Sequence, residues 1–185
     1  MSINKIRPLK LLLVILVFIV GITSIKAEDE IHSVKGARLT GIMAYSLIDN
    51  GFISETNGLL VVPTVGLNFD YYLTEKWGLG IHSDILLQQF KAEKHDGHAE
   101  IIRDNPVAFC AMGLFKPHER WALFAGYGVE FEKHENLNLV RFGAEYGIPL
   151  PKHWEVVLSM EYDYKFNSYG ALMFGIGFSK GLKKH

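Results

Sequence analysis

The sequence predicts an all-β fold: an eight-stranded antiparallel up-and-down transmembrane β-barrel preceded by a cleavable signal peptide. Three observations predict it. Long stretches alternate apolar residues with polar or small ones, the period of a strand with two different faces. Trp77, Trp121 and Trp154 each follow a short polar turn and each open such a stretch. An indole suits the level where hydrocarbon meets headgroups, so the three mark one common membrane surface. Beyond the first residues no segment is long and apolar enough to span a bilayer as a helix, and strands cross lipid only as a closed barrel.

The first residues read as a signal peptide over 1–27. Lys5, Arg7 and Lys10 form a basic start, Leu11 to Ile22 is an unbroken apolar run, and Ile25-Lys26-Ala27 resembles a cleavage site. The run is short for a membrane anchor. The barrel is then expected over 28–185. Four of the 19 basic residues lie in the leader, which holds no acid; the remainder carries 15 basic against 20 acidic residues, a net charge of −5. That balance argues against a nucleic-acid partner. Cys110 is the single cysteine, so no intramolecular disulfide is expected.

Eight strands follow in order. The first spans about Ala37 to Leu47, with Leu39, Met43, Tyr45 and Leu47 on one face and Arg38, Thr40, Ala44 and Ser46 on the other. The second, about Leu60 to Leu73, alternates Val61, Val65, Leu67, Phe69 and Tyr71 with Val62, Thr64, Gly66, Asn68 and Asp70. In the third, from Trp77 to about Lys91, Trp77, Leu79, Ile81 and Ile85 oppose Gly78, Gly80, His82 and Asp84. The fourth, about Asn105 to Phe115, is apolar on both faces, so its orientation stays open. In the fifth, Trp121, Leu123, Tyr127, Val129 and Phe131 oppose Phe124, Gly126, Gly128 and Glu130. In the sixth, Val140, Phe142, Ala144, Tyr146 and Ile148 oppose Leu139, Arg141, Gly143, Glu145 and Gly147. The seventh sets Trp154, Val156, Leu158, Met160, Tyr162 and Tyr164 against Glu155, Val157, Ser159, Glu161 and Asp163. The eighth sets Leu172, Phe174, Ile176 and Phe178 against Ala171, Met173, Gly175, Gly177 and Ser179.

An up-and-down chain places both ends on the Trp side, which is then periplasmic. The opposite side carries the loops around Asp49–Gly58, Lys91–Asp104, Lys133–Asn136 and Asn167–Ser168. Alternation alone does not say which face is inside; a secreted lipocalin-like binder would turn its apolar face inward around a greasy ligand. The polar face, however, is rich in glycine, including Gly66, Gly78, Gly80, Gly126, Gly128, Gly143, Gly175 and Gly177. Glycine suits a crowded, sharply bent barrel interior and would only weaken a water-facing wall. Aromatic residues sit at strand ends on the apolar face, a girdle pattern.

The leader, the eight alternating strands, the Trp-flanked turns and the closing Gly175-Ile176-Gly177-Phe178 resemble small outer-membrane β-barrel proteins of the OmpA/OmpX type, from about Ala37 to Leu182. The resemblance implies a cell outer-membrane location, a role in membrane integrity, adhesion or surface contact, and a monomer. The implied partners are outer-membrane lipid, lipopolysaccharide and, during biogenesis, the barrel-assembly machinery. Such barrels commonly end in a terminal aromatic residue. This chain departs from that pattern, because Phe178 is followed by Ser179-Lys180-Gly181-Leu182 and a basic tail.

The expected interior is charged: His82, Asp84, Glu130, Arg141, Glu145, Glu161 and Asp163 form the candidate lumen network. A symmetric hairpin about Pro149–Pro151 sets Arg141 opposite Glu161 as a bidentate pair. A salt-bridged plug is the expected role of these groups, with an acidic excess that leaves room for a protonated carboxyl or a bound cation. No catalytic residue, cofactor or metal site is expected. The enzyme alternative is a lipid-modifying acyl hydrolase or transferase, which needs nucleophile, base and orienting acid within hydrogen-bond reach; His82, Ser83 and Asp84 are adjacent, but on a strand their side chains diverge. His95, His98 and Glu100 could in principle hold a divalent metal, though a solvated loop is expected. Gly78-Leu79-Gly80 and Gly126-Tyr127-Gly128 lie inside strands with no helix after them, so no dinucleotide motif is present. A passive pore is a weaker alternative, because eight strands leave little lumen once side chains fill it.

Overall fold

The structure, a computed structural model, describes residues 35–52, 58–93 and 100–182. The expected signal peptide and the His95 and His98 of the second outer loop lie outside the described residues. Ten strands are present in chain order: β1 (Gly36–Phe52), β2 (Gly58–Tyr72), β3 (Trp77–Leu86), β4 (Gln89–Glu93), β5 (Glu100–Asp104), β6 (Val107–His118), β7 (Trp121–Phe131), β8 (Leu137–Leu150), β9 (Trp154–Lys165) and β10 (Gly170–Leu182). A single 3-10 turn, Pro151–His153, joins β8 to β9. Eight of the strands form a closed antiparallel up-and-down barrel in the order β1-β2-β3-β6-β7-β8-β9-β10, shut by pairing of β10 with β1 from Ala37↔Leu182 to Ile48↔Ala171. Closure leaves no open edge in the wall, so every wall strand has its ladder partners on both sides.

The wall's polarity is that of a barrel in lipid. Leu67 is 54% exposed, Ile81 58% and Phe142 51%, whereas Arg141 is 1% and Glu161 2% exposed. Apolar side chains therefore face outward and ionisable ones inward, the reverse of a lipocalin-like arrangement. Trp77 and Trp154 are exposed at the starts of β3 and β9, and half-buried Trp121 opens β7 against Tyr146, ring centroids 5.0 Å apart. The start of β1 and the end of β10 lie at this same end of the barrel.

Two elements differ from the sequence-based expectation, and the orientation left open for a third is given by the structure. The third strand is not continuous to Lys91; it breaks after Leu86, and Gln89 begins β4. The second outer loop, expected as polar and irregular, carries the β4–β5 hairpin, which pairs with β1 through Gly51↔Ala92 and Phe52↔Lys91. The hairpin has an apolar inner face: Phe90, Ala92 and Ile101 pack with Ile48, Val62, Leu86, Leu137, Tyr169 and Ala171 across the outer mouth. The fourth strand, open in orientation, is β6, and it turns Ala108, Cys110, Met112 and Leu114 inward and Phe109 outward. Both faces are apolar because this strand contributes an apolar wall to the lumen, where Tyr72, Phe124 and Leu139 pack against it. β10 runs on to Leu182, past Phe178.

Candidate functional site in the barrel lumen

Each wall strand sends alternate residues inward, and the register decides which of them meet. His82, Asp84, Glu130, Arg141, Glu145, Glu161 and Asp163 are each no more than 6% exposed. Their partners divide into two groups.

Near the Trp end, Arg38 of β1 donates to Asp70 of β2 through Nε at 3.1 Å and Nη2 at 2.7 Å. The same Nη2 reaches Glu145 of β8 at 2.5 Å, and Nη1 lies 3.8 Å from Glu155. His82 Nε2 lies 2.9 Å from the other oxygen of Asp70 and its ring packs edge-on to Phe124. Arg38 thus ties the two sides of the cylinder together.

Above it a chain of alternating charges climbs toward the loops. Arg141 holds Asp163 in a two-pronged pair, Nε to Oδ1 at 2.7 Å and Nη2 to Oδ2 at 2.8 Å. Its Nη2 also lies 2.5 Å from Asp84, and Nη1 lies 3.6 Å from Glu161. Lys165 bridges Asp163 at 3.5 Å and Glu130 at 3.3 Å, with its ammonium 4.6 Å from the centre of the Tyr169 ring. Glu130 accepts from the Tyr169 hydroxyl at 2.9 Å and from Arg103 at 2.5 Å. Arg103 sits on β5 and also donates to the Glu135 carbonyl at 2.6 Å, so the hairpin is anchored to the lumen chain by an ion pair. Shared low-dielectric surroundings strengthen each of these contacts and make any missing partner costly.

The expected Arg141–Glu161 bidentate pair is corrected: Arg141 faces Asp163, and Glu161 is the Cα partner of Gly143. The hairpin is centred on Lys152, with Leu150↔Trp154 as its last pair, whereas Arg141 opposite Glu161 needs a centre at Pro151. Lys152 and His153 adopt left-handed backbone conformations, φ 63° and 62°, which close the turn over Pro151–His153. Moving the centre by one residue along the turn moves the partner by two along the strand.

Glycines sit opposite the long charged side chains. Asp70 pairs with Gly80, Asp84 with Gly66, Arg141 with Gly126 and Glu161 with Gly143. A Cβ at Gly126 would collide with the Ala111 carbonyl and the Met112 sulfur, so only glycine lets β7 lie this close to β6 here. The residues missed by the sequence list are Arg38, Asp70, Arg103, Lys165 and Tyr169. Arg38 and Asp70 already stood on the inward face by alternation, whereas Arg103 fell in a segment read as loop.

Buried carboxylates outnumber buried cations: Asp70, Asp84, Glu130, Glu145, Glu161 and Asp163 against Arg38, Arg103, Arg141 and Lys165. Glu145 Oε1, Ser159 Oγ and Glu161 Oε2 make no hydrogen bond. Among the described residues no group of three or more His, Cys, Asp or Glu side chains is arranged to hold a metal ion. The neighbours His82, Ser83 and Asp84 do not converge: Ser83 donates outside the lumen to the Leu67 carbonyl at 2.8 Å, His82 faces Asp70 and Asp84 faces Arg141.

No protein-family model matches this chain, and no curated protein matches it. Solved structures do. Ail, the attachment invasion locus protein of Yersinia pestis, is 16% identical, covering 79% of this chain and 99% of Ail, with a TM-score of 0.48. The N-terminal β-barrel domain of Pseudomonas aeruginosa OprF is 10% identical, covering 77% and 96%, with a TM-score of 0.49. Neisserial surface protein A is 9% identical, covering 80% and 97%, with a TM-score of 0.46.

Proposed function

We propose that this chain is a monomeric integral barrel of the cell outer membrane whose lumen is plugged by ion pairs, and that it serves membrane integrity or surface contact rather than catalysis. One observation above all supports this reading: the side chains that span the cylinder are ionised and paired with each other, while the outer wall is apolar. A lumen crossed by Arg38, Arg141, Lys165 and Arg103, each bound to carboxylates from other strands, presents groups already committed to one another. Solute passage would have to break these pairs in a low-dielectric space, where an uncompensated charge is costly. Contact with other surfaces then falls to the loop end, built on the long β1–β2 and β4–β5 extensions.

Planar-bilayer recording tests the plug. The purified protein is expected to give no resolved single-channel steps. Arg141→Ala combined with Lys165→Ala removes two cations from the lumen chain and is expected to produce openings. Steady conductance from the unaltered protein would overturn the plugged reading. Released fatty acid on incubation with lipopolysaccharide would overturn the non-catalytic one.

A further inference from the structure

We propose that Lys180 and Trp154 form a binding site on the outer wall for the phosphate of a glycerophospholipid; the inference rests on the membrane reading above. The outward-facing series of the eight wall strands contains one charged residue among those described, and it is Lys180. The rest of its own series, Leu172, Phe174, Ile176 and Phe178, is apolar. A lone ammonium on a lipid-facing wall needs both a route to the interface and a counter-ion.

The structure supplies the route but no counter-ion. Lys180 is the Cα partner of Trp154, and its Nζ lies 4.9 Å from the centre of the indole ring. The pair sits at the Trp end of the wall, the level at which hydrocarbon gives way to headgroups. Among the described residues no carboxylate pairs with Lys180; Glu155, next to its strand partner Trp154, turns inward toward Arg38 at 3.8 Å. The Trp154 indole N–H likewise has no acceptor among the described residues, although the ring is exposed. A cation and an N–H donor, side by side and unsatisfied at headgroup height, match an anionic oxygen cluster. Cation–π contact holds the ammonium over the ring and leaves its N–H donors free for that anion.

The surroundings select a lipid rather than a free ion. Leu39, Phe178 and Leu182 flank the pair, each more than 40% exposed, and continue into the apolar wall. A phosphate bound at Lys180 would carry its acyl chains down this surface, adding apolar contact that inorganic phosphate cannot make. Exposed Lys152 of the neighbouring turn and Lys76 of the β2–β3 turn give the same rim a positive field.

Native mass spectrometry in detergent micelles tests the site, with dioleoylphosphatidylglycerol as probe and uncharged dioleoylglycerol as control. Heat-modifiable migration first establishes that each variant is folded. Lys180→Gln is expected to weaken phosphatidylglycerol binding about fivefold, Lys180→Arg to preserve it, and dioleoylglycerol binding to stay unchanged. Equal binding by Lys180→Gln and the unaltered protein would overturn the site. So would an equal loss in Lys76→Gln, which would show a diffuse rim field, or displacement of the lipid by millimolar inorganic phosphate. Recovery of the protein in the soluble fraction without detergent would instead overturn the membrane reading itself.

Discussion

Arg141 shows how much one side chain holds in this interior. It pairs with Asp163 and Asp84 and lies near Glu161, all of them buried side chains of the lumen. Arg141→Met would leave buried Asp84 without its cation and Asp163 with Lys165 alone, 3.5 Å away. The expected loss is about 3–5 kcal/mol of barrel stability, read as a lower urea midpoint for the folded form on a gel. Adding Asp84→Asn and Asp163→Asn to Arg141→Met should restore most of that loss, because the repulsion goes with the charges. A triple variant no more stable than Arg141→Met would show that the arginine acts by packing. The parity that turns Arg141 inward is legible in the sequence, since Val140 and Phe142 flank it. Its partner is not legible, because Asp163 and Glu161 share a face and only the turn geometry chooses between them.

At the scale of an element, the β4–β5 hairpin is the largest departure from a plain barrel. Phe90, 2% exposed, packs edge-on against Tyr169 with centroids 5.7 Å apart, and Arg103 reaches Glu130. Phe90→Ala should cost about 3–5 kcal/mol of local stability and speed amide hydrogen exchange in β4 and β5 while leaving β7–β9 protected. Uniform loss of protection would mean that hairpin and barrel unfold as one unit. The β7–β8 loop has its own device. Burial raises the Glu132 carboxyl, but hydrogen bonds from the His134 backbone N–H at 2.8 Å, the His134 ring and the Lys133 backbone outweigh it, and its pKa lies below the usual carboxylate value. A carboxylate with a depressed folded value stabilises the loop fully above the usual carboxylate range. That stability is lost as pH falls through the lowered value. The protection factor of the His134 amide, measured from pH 6 downward against its intrinsic exchange rate, should therefore fall at the acid end, and Glu132→Gln should flatten the profile. An unchanged profile would show that the loop is held by other contacts. The sequence showed the β7–β8 loop but hid the hairpin, whose inward residues, Phe90, Ala92, Ile101 and Arg103, are spread through a polar stretch and acquire a face only when folded against the barrel mouth.

For the whole molecule, closure makes a strong prediction about the single cysteine. Cys110 is 1% exposed and points into the lumen beside Gly128 of β7 and opposite His82 of β3. It should resist both a water-soluble and a membrane-permeant maleimide in the folded barrel and react fully after unfolding in hot detergent. Labelling by the membrane-permeant reagent alone would place β6 with its other face outward. A water-filled channel would instead admit the soluble reagent. The same closure explains why β6 could not be oriented from its residues: Phe109 faces lipid and Cys110 faces an apolar part of the lumen, so both environments accept apolar side chains.

By itself the sequence determined the eight-fold up-and-down plan, the end marked by Trp77, Trp121 and Trp154, and the inward parity of the charged residues. These follow from a period of two and from turns of a few residues, both local to the chain. The tertiary structure alone decided that Arg38 takes Asp70 and Glu145, 32 and 107 residues along the chain, that Arg141 takes Asp163, and that Arg103 arrives on a hairpin. Those pairings depend on register and on distances across the cylinder, which arise only when the last strand closes against the first.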